Sequence, residues 1–132
     1  MEKIIIFIFI LIILLAIYLA FFKFKKSNKL SKTNIEHFQK ILKRISSNIS
    51  PKEKIMDYDK LYHKILKEIG YSWNFWDILK QNPACIDDIQ SIWELHKLRN
   101  KLAHDFDLLE ENVLNKKALK YKDEINKLLK NI

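Results

Sequence analysis

The stretch SPKEKIMDYDKLYHKILKEIG, residues 50–70, decides the fold class. Ser50-Pro51-Lys52-Glu53 has the form of a capping box, with Pro at the first helical position, where its missing N–H costs nothing. The apolar residues that follow are Ile55, Tyr58, Leu61, Tyr62, Ile65, Leu66 and Ile69. Spacings of three and four put them on one face of a helix. Gly70 is the only glycine in the chain and falls where a left-handed C-terminal cap is wanted. Start, stripe and stop thus all agree on one amphipathic helix.

The same pattern extends outward. Upstream, Thr33-Asn34-Ile35-Glu36 has capping-box form. Ile35, Phe38, Ile41, Leu42, Ile45 and Ile49 continue it to a stop near Ser50, before Pro51. Downstream, Tyr71 to Trp76 is an aromatic connector leading into a short helix that ends near Gln81. Its rings are expected to fill one end of the bundle. Asn82-Pro83 is read as the start of a long helix running to about His104, with Ile86, Ile89, Ile92, Trp93, Leu95, Leu98, Leu102 and Ala103 facing inward. Asp105-Phe106-Asp107 makes a turn. A last helix, about Glu111 to Lys130, turns Leu114, Ala118, Tyr121, Ile125, Leu128 and Leu129 inward. With one Gly and two Pro in 132 residues, a turn-rich β fold is excluded. The expected domain over residues 33–132 is an all-α antiparallel bundle of four long helices and one short one.

The amino-terminal part reads differently. Ile4 to Phe22 contains no charge, Gly, Pro, Ser or Asn. At ~1.5 Å per residue it would extend about 28 Å, close to a bilayer core. A cleaved signal peptide is disfavoured, because Phe21, Phe22 and Phe24 stand where small residues should lie. The expectation is a transmembrane helix over 4–22 and a basic juxtamembrane linker over 23–32. Lys23, Lys25, Lys26, Lys29 and Lys32 would face anionic lipid. By the positive-inside rule the amino terminus lies outside and the bundle is cytoplasmic, in a single-pass protein of the inner or plasma membrane.

Net charge is +8, and its position matters more than its size. Lys23 to Lys60 carries 11 basic and 4 acidic residues; Leu61 to Ile132 carries 12 and 11. The lone Cys85 excludes an internal disulfide and reads as a small buried hydrophobe. His37 and His63 are isolated on helices, and Asp87-Asp88 favours a helix dipole. No Gly-rich phosphate loop, nucleophile elbow or metalloprotease motif is present, which leaves ATPase and hydrolase readings without support. Neither a metal nor a cofactor is expected.

One segment does carry chemistry: Glu94-Leu95-His96-Lys97-Leu98-Arg99-Asn100-Lys101-Leu102-Ala103-His104-Asp105. His96, Asn100 and His104 recur at i, i+4 and i+8, and Arg99 lies one turn from His96. A guanidinium grips phosphate oxygens in bidentate fashion. An imidazole exchanges protons near neutrality. Together they could hold a phosphodiester and deprotonate a 2′-hydroxyl without metal. Only two of the 24 basic residues are Arg, Arg44 and Arg99, which adds weight to the one placed here.

Arg-Asn-x-x-x-His resembles the signature of HEPN (higher eukaryotes and prokaryotes nucleotide-binding) domains. Arg99, Asn100 and His104 match its three positions, at the end of a long helix in an all-α domain. The resemblance implies a metal-independent endoribonuclease acting as a homodimer that brings two motifs together, or a relative that only binds RNA or a partner. Catalytic residues would then be Arg99, Asn100 and His104, with His96 auxiliary. A non-enzymatic interaction or dimerisation module is the alternative. The discriminating feature is whether Arg99 and His104 are exposed and converge, alone or across a dimer; burial of either against its own bundle decides for the interaction module.

Overall fold

The computed structural model describes residues 1–24, 29–47, 50–104 and 109–132; for residues 2, 3 and 19–24 it describes the backbone alone. Among the described residues six helices follow in order: α1 Glu2–Phe24, α2 Lys32–Ser47, α3 Pro51–Glu68, α4 Phe75–Lys80, α5 Ile89–His104 and α6 Glu111–Asn131. No strand occurs among the described residues.

Helix α3 lies at the centre and packs against α2, α5 and α6, while α5 and α6 also touch each other. All seven residues of its expected apolar face are buried. Its ends form as the sequence dictates. The Ser50 hydroxyl accepts from the Glu53 N–H at 3.3 Å. At the other end Gly70 takes φ 106°. Its N–H donates to the Lys67 carbonyl, and the Tyr71 N–H donates to the Leu66 carbonyl. This is a Schellman closure, which satisfies carbonyls that the helix itself cannot. A Cβ at Gly70 would meet the carbonyl that follows, so Gly70→Ala is expected to cost about 1–2 kcal/mol. Thermal denaturation checks this; a melting temperature lower by roughly 5 °C or more is the expected outcome.

Two helix starts differ from expectation. Helix α2 is capped by Ser31, not Thr33: the Ser31 hydroxyl accepts from the Asn34 N–H at 3.2 Å. Helix α5 starts at Ile89, six residues beyond Pro83. Asn82 sits at φ 49°, a left-handed conformation that an N-cap does not use. It ends α4 instead, its N–H donating to the Leu79 carbonyl. Residues 83–86 then form a turn that buries Ile86. Asp88 caps α5, its carboxylate accepting from the Ser91 N–H at 2.9 Å. Asn131, near the end of α6, donates to the Cys85 carbonyl and the Asp87 carboxylate, fastening this connection. Ala103, expected inside, is exposed. Ile49 and the turn at 105–107 lie outside the described residues.

The expected transmembrane span is corrected. Among the described residues no helix is long and apolar enough to cross a membrane. The described side chains of α1 run from Ile4 to Tyr18, all exposed. The side chains of residues 19–23 lie outside the described part, as do Lys25 and Lys26 entirely. The single-pass membrane placement, with an outside amino terminus and a cytoplasmic bundle, falls with the span on which it rested.

Candidate functional site

The motif helix α5 lies against α3, and the contact is polar at one point. Asp59 of α3 is buried, 4% exposed, within an otherwise apolar face. Its Oδ1 accepts from the Tyr121 hydroxyl of α6 at 2.7 Å and lies 2.8 Å from His96 Nδ1. Its Oδ2 lies 3.6 Å from Arg99 Nε, within ion-pair reach but too long for a hydrogen bond. One carboxylate therefore ties three helices together.

Donor and acceptor chemistry fixes the rest. Arginine can only donate, so Arg99 Nη1 gives its hydrogen to Asn100 Oδ1, at 2.9 Å. The Asn100 amide nitrogen is thereby turned toward His96 Nε2, at 3.3 Å. Nε2 accepts, and the ring proton resides on Nδ1, facing Asp59. Both His96 ring nitrogens are thus engaged inside the bundle, an arrangement suited to positioning. Burial, with the Asp59 carboxylate adding to it, holds the Tyr121 hydroxyl well above the usual tyrosine range, so it serves as a donor.

The motif residues divide accordingly. Arg99, Asn100 and His96 are brought together. The Arg99 side chain is 29% exposed, with Nε buried and without a hydrogen-bond partner among the described residues. His104 is the last residue of α5 and is exposed, as its expected place at the helix end requires. Arg99 and His104 are five residues apart, about 140° around a helix of ~100° per residue. One copy of α5 therefore points them to different sides.

Around His96 the rings of Phe75 and Trp76 close the α4 side, at centroid distances of 4.6 and 6.5 Å. The aromatic connector is split rather than wholly internal. Phe75 is 4% exposed, whereas Trp73 and Trp76 are 51% and 40% exposed. His63 stacks on Phe75 at 5.2 Å and its Nε2 lies 3.2 Å from the Trp73 carbonyl, which can only accept. Burial lowers the His63 pKa from its ordinary 6.5, against the opposing pull of that carbonyl. The unfolded chain therefore takes up a proton at His63 more readily than the fold does. Stability should fall as pH drops below about 6.5. The checking measurement is the melting temperature between pH 7 and pH 5 in wild type and His63→Gln; a shallower decline in the variant is expected.

Asp59 and Glu124 are the buried acids that sequence reading missed. Glu124, 3% exposed, pairs with Lys127 at 2.7 Å. The signal was present: Asp59 falls four residues after Ile55 and three before Tyr62, inside the apolar stripe. Among the described residues no group of three or more His, Cys, Asp or Glu could hold a metal ion. A groove of about 270 Å³ between α2 and α3, floored by Ile41, Ile45 and Leu61, contains none of the motif residues. Compared with family models, curated proteins and solved structures, the chain matches none.

Proposed function

We propose that the bundle is a HEPN-like domain that binds RNA through Arg99, and that a single copy is not a nuclease. The observation behind this reading is the Asp59 clamp. It holds the inner side of the guanidinium and leaves part of the side chain exposed for a backbone phosphate, in a pre-formed position that lowers the ordering cost of binding. His104 is the one motif imidazole still exposed, yet it diverges from Arg99 on the same helix. Metal-free cleavage by this pair needs two copies, so that Arg99 of one and His104 of the other flank one phosphodiester. Arg99 would then hold the phosphate while His104 exchanges the proton of the 2′-hydroxyl.

A second reading is favoured by one observation: Arg99 Nη1 and both His96 ring nitrogens already have hydrogen-bond partners within the bundle. On that reading the motif is architectural and the domain is a non-enzymatic interaction or dimerisation module. The test is incubation of the full chain with end-labelled single-stranded RNA in a metal chelator, across a range of protein concentrations. The RNA-binding reading expects retention that Arg99→Ala weakens. It expects any cleavage to rise more steeply than linearly with protein and to vanish in His104→Ala. Absence of RNA retention at every concentration leaves only the interaction module.

A further inference from the structure

The groove between α2 and α3 stands apart from the Arg99 site and shares no residue with it. Its floor is Ile41 and Ile45 of α2 and Leu61 of α3. Ile45 and Leu61 are buried, and Ile41 is half-buried. The two helices are joined by a side-chain bond next to Ile45. The Ser46 hydroxyl donates to the Leu42 carbonyl at 2.8 Å, so the Tyr58 hydroxyl is the donor in its 3.0 Å bond to Ser46 Oγ. The groove is therefore formed before anything enters it, which lowers the ordering cost of docking.

Three cations stand around this apolar floor. Arg44, Lys60 and Lys64 all line the groove and are all exposed. Asp57 is the one acid lining it, and it pairs with Lys60 at 3.1 Å. Arg44 and Lys64 have no carboxylate within 4.0 Å among the described residues. Charge and shape together select the occupant. At about 270 Å³ the groove is smaller than the ~300–1,000 Å³ sites that enclose small ligands. No aromatic side chain lines it, so it offers no stacking surface to the bases of a nucleic acid. A second copy carries the same net charge of +8 and is repelled by these cations. Along α3 the lining runs from Asp57 to Lys64, about 10.5 Å at ~1.5 Å per residue. That is the distance from i to i+7 on another helix, the reach of one set of apolar anchors in helix-in-groove recognition.

We propose that this groove docks an acidic amphipathic helix of a partner protein. Its apolar anchors would rest on Ile41, Ile45 and Leu61, and its flanking carboxylates would face Arg44 and Lys64. Docking here does not require Arg99 to bind RNA.

The test is fluorescence anisotropy of a labelled synthetic peptide titrated with the full chain. The peptide has about 15 residues, enough to form a helix once docked. It carries Leu at i, i+3, i+4 and i+7 and Glu at the flanking positions. It should bind, and binding should weaken as salt is raised. The double variant Arg44→Glu/Lys64→Glu should weaken binding about tenfold and melt close to wild type, since both side chains are exposed. Ile41→Ser should weaken it about fivefold through lost apolar contact. A peptide with Lys in place of each Glu should bind the double variant better than wild type. No binding of the acidic peptide, or equal binding of polyglutamate without the leucines, overturns the proposal. Peptide binding that the double variant leaves unchanged overturns it too. Self-association of the wild-type chain that the double variant abolishes would assign the groove to a second copy instead. Loss of single-stranded RNA binding in the double variant, with peptide binding intact, would assign it to nucleic acid.

Discussion

Asp59→Ala is expected to lower the stability of the domain by about 3–5 kcal/mol, the usual cost of breaking a buried ion pair by removing one partner. The Tyr121 hydroxyl and the His96 Nδ1–H both lose their acceptor inside the core. The Arg99 guanidinium loses its only carboxylate within 4.0 Å among the described residues. Each orphaned buried donor costs about 1–3 kcal/mol, and water cannot readily replace the carboxylate beneath Tyr121, which is 0% exposed. Tyr121→Phe removes one donor and leaves the other two partners in place, so it should cost only about 1 kcal/mol. Asp59→Asn should fall between them, since an amide oxygen accepts but leaves Arg99 unneutralised. Thermal melts of the three variants check the order. An Asp59→Ala melting temperature within a degree or two of wild type would show that the clamp contributes nothing.

Tyr62→Ala should destabilise by a similar amount, about 3–5 kcal/mol, for a different reason. Tyr62 is 1% exposed and stands where α3, α4 and α6 meet. Its ring lies 5.8 Å from Phe75 and 6.1 Å from Tyr121. Removing it empties a ring-sized volume between side chains that are themselves buried, so little collapse can refill the space. Loss of Phe75 support would also loosen the edge contact that seats His96, at 4.6 Å. The variant should therefore show a lower denaturation midpoint in urea and weaker protection of α5 amides from hydrogen exchange. A loss below about 1 kcal/mol would mean that this junction is not tightly packed.

Helix α3 was legible because its apolar stripe, its cap and the single glycine all pointed the same way. At Gly70 the local chemistry admits one answer, and the chain adopts it. At Asn82-Pro83 the same residue types admit two. Asn serves equally as an N-cap or as a left-handed C-terminal residue, and only the packing of Ile86 and the capping by Asp88 select the second. Ser31 and Thr33 posed a similar choice two residues apart.

Arg99-Asn100 and His104 could be singled out in the sequence; Asp59, which Arg99 and His96 contact, could not. Asp59 is flanked in sequence by Tyr58 and Lys60 and reads locally as an ordinary solvated acid. Its role appears only when α5 and α6 are laid against α3, through contacts 37 and 62 residues away in the chain. A charge standing within an apolar face, three residues before Tyr62 and four after Ile55, is the pattern that would have flagged it. The amino-terminal run misled in the opposite way: apolar composition over 4–22 promised a span, and among the described residues no helix is long and apolar enough to cross a membrane.

The most direct measurement is the affinity of the full chain for single-stranded RNA, compared with that of Arg99→Lys. The variant keeps a positive charge opposite Asp59 but lacks the planar fork that can hold the carboxylate on one side and a phosphate on the other. Its melting temperature should stay close to that of wild type while RNA binding falls by about tenfold, the scale of one charged hydrogen bond. Equal affinity of the two proteins, or no RNA binding by the wild-type chain, would contradict a role for Arg99 in phosphate recognition.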